Sequence, residues 1–309
     1  MGKIKDYIKQ ADKMRNEWAT SDAKRDSGLT EPDNIKAIKD VEYTFSETED
    51  EKVWHLTDIY YPTEVDITKY PVIVNVHGGG WFYGDKELYR HYCMKLASYG
   101  YAVVNFNYRR SPEYQYPAGF MDVCHLFEFL AINADKYSFD MDNLYAVGDS
   151  AGAQLLSQYS IWATNAEYKV LLDKVGDMIA PIPKRIALNC GIYNMRDMLG
   201  RENLVEWYLD DETMADTAGV GDVANSFFNV IDYVNSSFPE TFLMLSVNDD
   251  LRVHTIPMKD KLDEVGVPFI FKQYGEGSPE DGHVFHVNMK SAIGAQCNDD
   301  EIEFFRKGI

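Results

Sequence analysis

Long apolar runs are missing from this chain. Its 309 residues have a mean hydropathy of −0.35, and none of its apolar stretches approaches the roughly 20 residues that span a bilayer. The opening Met1-Gly2-Lys3-Ile4-Lys5-Asp6-Tyr7 has no apolar core of signal-peptide length. Cysteine is scarce. Cys93, Cys124, Cys190 and Cys297 stand far apart, with no C-x-x-C pair and no clustered histidines. That spacing argues against a disulfide scaffold and against a zinc site, and it predicts free buried thiols in a reducing compartment, the cytoplasm. Positive charge is in deficit: 30 Lys and Arg face 50 Asp and Glu, for a net charge of −20. Nucleic acid and anionic membrane surfaces are thereby argued against as partners, because like charge repels. Internal repeats and low-complexity linkers are absent, and the length suits a single α/β domain with a full core.

What is present concentrates in two glycine-rich segments. Gly148-Asp149-Ser150-Ala151-Gly152 follows the apolar run Leu144-Tyr145-Ala146-Val147 and precedes a helix-forming stretch, Ala153 to Ala163. A serine between a strand and a helix sits on a sharp turn that needs small neighbours, and the turn presents its hydroxyl to an open site. By itself the pattern also fits an idle serine in a tight turn. The second segment, His77-Gly78-Gly79-Gly80-Trp81, ends the strand-like run Pro71 to Val76. Consecutive glycines cost chain entropy and contribute no packing, so they mark backbone that must come close to something. The residues of a phosphate loop are not there: no Lys-Ser/Thr follows, and the G-x-G-x-x-G spacing is absent. With a nucleophilic Ser150, the fitting role is an oxyanion hole built from the N–H groups of Gly79, Gly80 and Ala151.

Together the two motifs resemble the hormone-sensitive lipase-like family of α/β-hydrolase esterases. The stretch between them adds to the likeness: Asn107-Tyr108-Arg109-Arg110-Ser111-Pro112-Glu113, then Tyr116-Pro117-Ala118 and Asp122, is similar to that family's Y-R-L-A-P-E…P-A…D pattern. Arg110 and Ser111 stand where the family has Leu and Ala. The resemblance covers about residues 40 to 290. It implies an α/β-hydrolase fold, an eight-stranded, mostly parallel sheet with helices on both faces and a helical cap. It also implies that His77 shapes the glycine loop, with Gly78, Trp81 and Asp149 supporting the motifs.

The rest of the chain can be organised around this. Ile4, Tyr7, Ile8, Ala11, Met14 and Trp18 make one apolar stripe at helical spacing, so residues 1–36 read as an N-terminal helical segment, which the resemblance assigns to the cap. Packing on the outside of the domain is the alternative. Residues 37–309 form the catalytic domain. Strands are expected at 40–46 and 54–61, joined by an acidic hairpin at 47–51, and then at 72–76, 101–106, 143–147, 185–190, 241–247 and 268–273. Helices fall near 86–99, 118–134 and 254–265. Such alternation indicates a parallel sheet with its site beyond the carboxyl ends of the strands. An insertion at about 195–235, with helices at Leu204–Leu209 and Val223–Val234, reads as the second half of the cap.

A serine hydroxyl needs a histidine to take its proton and a carboxylate to orient that histidine. In this fold the chain order is serine, acid, histidine. Asp249 and Asp250 are the acid candidates. The family's D-x-L-R pattern favours Asp249 and leaves Asp250 to cap the following helix. Of His254, His283 and His286, His254 comes too early. His283 and Phe285 match the family's H-G-F, with Val284 in place of glycine, and His286 is expected in the first turn of the last helix. His55, His91 and His125 read as packing or surface residues. The function implied is hydrolysis of short-chain carboxylic esters through an acyl-enzyme, with a small-molecule ester as partner and no metal or organic cofactor. An acetylated-carbohydrate esterase, an arylformamidase or a peptidase would use the same triad. A non-catalytic ligand receptor of this fold is a different class of answer. A homo-oligomer is left open.

Overall fold

The structure is a computed structural model that describes residues 2–65, 67–172, 176–198, 204–209, 230–278 and 281–308. Its strands are β1 (Ile35–Glu42), β2 (Leu56–Pro62), β3 (Tyr70–Val76), β4 (Ala102–Phe106), β5 (Phe139–Asp149), β6 (Arg185–Asn189), β7 (Glu240–Ser246) and β8 (Phe269–Tyr274). They form one eight-stranded sheet in the order β1-β2-β4-β3-β5-β6-β7-β8. β1 pairs with β2 and β2 with β4 antiparallel; all other pairings are parallel. The helices are α1 (Gly2–Asp26), α2 (Glu49–Lys52), α3 (Arg90–Ala97), α4 (Ala118–Ile132), α5 (Ala151–Thr164), α6 (Ala166–Leu171), α7 (Leu204–Tyr208), α8 (Arg252–Val265) and α9 (Ala292–Lys307).

The central strands are apolar on both faces because helices cover both. Side chains alternate along each strand, so Val72, Val74 and Val76 of β3 join the core beneath α4, α5 and α8. Ile73, with Val103 and Val147 of the neighbouring strands, joins a second core beneath α3 and α9. Each such fully buried aliphatic side chain contributes roughly 1.5–3 kcal/mol. α1 joins the first core through Ala11, with Tyr7, Met14 and Trp18 packed against it.

Three expectations change. The first strand is Ile35–Glu42 rather than 40–46, and the acidic segment after it is a helix rather than a hairpin. There the Thr48 side chain accepts the Glu51 N–H and the Glu51 carboxylate accepts the Glu47 N–H, so carboxylates collect at a helix start, where they are favourable. The N-terminal helix stops at Asp26, before Gly28 at φ 83°, and α6, capped by Asn165, was not anticipated. Most of the 195–235 insertion, including Phe227 and Phe228, lies outside the described residues; within it are α7 and a 3₁₀ turn at Val230–Tyr233.

Behind the sheet's carboxyl edge lies an acid that the apolar pattern does not announce. Glu301 of α9 is fully buried and accepts hydrogen bonds from the Tyr92 hydroxyl (2.9 Å) and the Asn189 side-chain amide. Burial, opposed by those two bonds, pushes its carboxyl from 4.5 up to about 7. Because the folded value lies above the unfolded one, stability is lost as the pH rises from about 4.5 through about 7, by on the order of 3 kcal/mol. Denaturant unfolding at pH 5, 6, 7 and 8 is expected to show Glu301→Gln losing less stability than the parent over that range; parallel curves would show that another group carries the slope.

Candidate active site

Ser150 sits between β5 and α5 at φ 52°, ψ −118°, a left-handed backbone that a non-glycine residue adopts only under constraint. The constraint is visible. Its N–H donates to the Asn189 carbonyl (2.9 Å), and the start of α5 is pressed against the end of β3. A methyl group on Gly152 would collide with the Val76 and His77 carbonyls.

The serine, acid and histidine expected in that chain order meet here. His283 follows β8, and its Nε2 lies 2.9 Å from Ser150 Oγ while its Nδ1 lies 2.7 Å from Asp249 Oδ2. Asp249 follows β7, is almost fully buried, and accepts the Leu251 N–H at Oδ1 (2.8 Å). Burial works against its charged form, but the hydrogen bond and charge of His283 outweigh it and hold the carboxyl below its ordinary range. Asp250 is exposed at the pocket wall and does not cap α8; the Leu251 N–H goes to its neighbour instead. His286 is fully buried in a 3₁₀ turn, Phe285–Val287, ahead of α9 rather than within it. It stands edge-on to Tyr92 (5.3 Å), and burial lowers its ring to about 3.

Gly79 and Gly80 take φ values of 111° and 57°, and their N–H groups find no acceptor among the described residues. Ala151 opens α5, where no intrahelical acceptor exists for its N–H. The loop is held from three sides. Asp149 accepts the Gly78 N–H (3.1 Å) and the Tyr89 hydroxyl (2.8 Å); burial, opposed by that Tyr89 bond and by His283, raises it to about 6. His77 bonds the Gly78 carbonyl through Nδ1 (2.8 Å) and stacks on Tyr108 (4.1 Å), and burial lowers it to about 4. Trp81 donates to Gln154 of α5 (3.0 Å). Arg110 and Ser111, the two departures from the family pattern, brace the loop: Arg110 Nη1 donates to the Gly84 carbonyl (2.6 Å) and the Ser111 N–H to that of Trp81 (2.9 Å).

Arg15 of α1 was not foreseen. Its Nε donates to the Phe82 carbonyl (2.9 Å), Nη2 to the Ser111 carbonyl (2.8 Å), and both Nη atoms to the Glu113 carboxylate (2.7 Å each). One guanidinium therefore ties the N-terminal helix to the glycine loop. Trp18 packs on Phe82 and Tyr83, and Trp18, Asp22 and Arg25 help to enclose a cavity of about 760 Å³ over Ser150. Its remaining wall combines apolar residues, including Leu88, Ile192, Leu204, Leu251, Val284 and Val287, with the polar groups of Ser21, Asn248, Asp149, Asp249 and Asp250. Nothing local in the sequence marks Arg15, because its partners stand far along the chain.

A sheet of this topology with a serine, histidine and aspartate in hydrogen-bonded sequence at its carboxyl edge defines an α/β-hydrolase. The family model described as BD-FAE matches residues 57–256, and the chain belongs to that family. It is 36% identical over 89 residues to the versiconal hemiacetal acetate esterase of Dothistroma septosporum, covering 28% of this chain and 27% of that protein. It is 27% identical over 146 residues to an acetyl esterase of Salmonella, covering 47% and 41%. The chain thus spans less than half the length of either relative. The crystal structure of esterase B from Lactobacillus rhamnosis superposes with a TM-score of 0.83 at 24% identity, covering 99% and 96% of the two chains. EstE1, a carboxylesterase cloned from a metagenomic library, gives 0.73 at 20%, covering 96% and 97%.

Replacing Arg15 by Met is expected to cost roughly 1.5–3 kcal/mol and to loosen α1. The Trp18 emission should shift to the red, and limited chymotrypsin digestion should cut the first 26 residues faster than in the parent. Arg15→Lys should restore only part of the loss, since an ammonium cannot reproduce the fork. Unchanged digestion of Arg15→Met would show that apolar packing alone holds the helix.

Proposed function

We propose that this protein hydrolyses short-chain carboxylic esters through an acyl-enzyme on Ser150. The observation that carries the reading is the unbroken hydrogen-bond chain from Asp249 through His283 to Ser150, beside the N–H groups of Gly79 and Gly80, which are unpartnered among the described residues. Ser150 Oγ attacks the ester carbonyl while His283 Nε2 takes its proton, with Asp249 orienting the ring and stabilising its charge. The oxyanion is received by Gly79, Gly80 and Ala151, each such donor being worth about 3–4 kcal/mol. His283 then returns the proton to the leaving alcohol, and water repeats the attack to free the acid. The relatives named as acetate and acetyl esterases support acetyl-sized acids as substrates. The four cysteines are free and buried, which supports a reducing compartment, the cytoplasm. No helix among the described residues is long and apolar enough to cross a membrane.

One observation favours a narrower reading. Ser21, Asp22, Arg25 and Asn248 put polar groups into the cavity beside the aromatic rings of Trp18 and Tyr83, a lining that suits a hydroxylated alcohol half such as an acetylated sugar. A purely receptor function is not favoured, because nothing in the serine–histidine–aspartate chain is broken.

Ser150→Ala should fold normally, refuse a fluorophosphonate label, and lose all but about a hundredth or less of kcat on p-nitrophenyl acetate. Asp249→Asn should lose orders of magnitude in kcat, while Asp250→Asn stays near the parent; the reverse would move the acid by one residue. Failure of the parent itself to label would sink the esterase reading.

The relatives named as acetate and acetyl esterases add an expectation on acyl length. Across p-nitrophenyl esters, kcat/KM should peak between acetyl and butyryl and fall steeply beyond about eight carbons, because a methylene that finds a pocket contributes only about 0.8 kcal/mol and one that clashes costs more. Efficient cleavage of the palmitoyl ester would mean that the space over Ser150 is open rather than enclosed.

A further inference from the structure

The fold assembles a set of donors that the spacing of cysteines and histidines along the chain gave no sign of. Cys190 follows directly on β6, at φ 48°, and its side chain is fully buried behind the catalytic acid. Its thiol lies 3.7 Å from the Met244 sulfur. One ligand atom each from Cys190, Asp249 and His283 lie within 4.8 Å of one another. Neighbouring donors around a tetrahedral zinc ion stand roughly 3.3–3.6 Å apart. The three groups therefore need to shift by only about an ångström. One sulfur, one nitrogen and one oxygen are a set that a borderline-soft divalent ion prefers over Mg²⁺ or Ca²⁺. His283, a third exposed, is the side from which an ion arrives.

We infer that Cys190, Asp249 and His283 form an inhibitory site for zinc-like divalent cations, through which such ions reversibly switch off the reaction at Ser150. This rests on the triad reading above. The chemistry balances without a redox step. The thiol gives up its proton to water and forms a sulfur–metal bond. Asp249 lends an oxygen lone pair. The imidazole coordinates through the nitrogen that faced Asp249, and its single proton resides on Nε2. That nitrogen then donates toward Ser150 Oγ and has no lone pair to accept the serine proton, so the nucleophile loses its base. Burial pushes the Cys190 thiol well above its ordinary range, so the metal must displace a tightly held proton. Binding therefore strengthens as the pH rises.

The test titrates ZnCl₂ and CdCl₂ against hydrolysis of p-nitrophenyl acetate, with MgCl₂ at equal concentration to correct for cations gathered by the acidic surface. Each protein is normalised to its own metal-free rate. Zinc and cadmium should inhibit the parent and be reversed by EDTA, magnesium should not inhibit, and Cys190→Ser should raise the inhibition constant at least tenfold. A second measurement needs no turnover: Co²⁺ added to the parent should give a sulfur-to-cobalt charge-transfer band that both Cys190→Ser and Asp249→Asn lack. Equal zinc inhibition of the parent and Cys190→Ser, or inhibition by magnesium as strong as by zinc, overturns the site. If the parent hydrolyses no ester yet gives the cobalt band, the reading of its function fails and the metal site stands.

Discussion

Everything at this site depends on how closely the start of α5 can approach β3. Ser150 occupies a strained, left-handed backbone because two glycines flank it and because carbonyl groups of the neighbouring strand fill the space where side chains would be. That approach aims the serine hydroxyl at His283 and leaves the Ala151 N–H in the first turn of α5. It also lets Asn189 take the Ser150 N–H, so strand β6 shares the load. A single methyl group at Gly152 would push the helix off the sheet and separate the nucleophile from both of its partners.

The site is expensive in buried charge. Asp149 and Glu301 are both inside the protein, both shifted upward by burial, and both within reach of the elbow, one through the glycine loop and one through Asn189. Neither has a cationic partner among the ion pairs of the described residues. Their hydroxyl and amide donors satisfy the carboxyl oxygens without cancelling the charge, which keeps these acids easier to protonate than surface ones. Stability is spent where orientation matters, a familiar pattern for functional sites.

Much of this was legible in the sequence, and the division has a physical cause. The glycines around Ser150 and after β3 are local signals, since only close backbone approach explains them. The identities of Asp249 and His283 rest on chain order and on residues adjacent to them, and the structure brings both to Ser150. What was not legible depends on partners distant in the chain: the Arg15 fork, Tyr89 against Asp149, Glu301 beneath Asn189, Cys190 behind Asp249. The acidic segment at 47–51 misled for the opposite reason. It looks like a turn by composition, but reciprocal bonds between Thr48, Glu51 and Glu47 wind it into a helix.

The acidic lining of the cavity bears on a step that follows the chemistry. Ester cleavage converts a neutral bond into a carboxylate, and under the proposed reaction that new anion is released beside Asp22, Asp149, Asp249 and Asp250, with only His283 and a doubly paired Arg25 among the described residues to offset them. At about 6 Å and an effective dielectric of 20, each like charge repels by roughly 3 kcal/mol before salt screening. An uncharged substrate enters without this penalty, whereas the acid it becomes is pushed toward solvent. The negative wall thus gives the pocket a direction, inward for the ester and outward for its product.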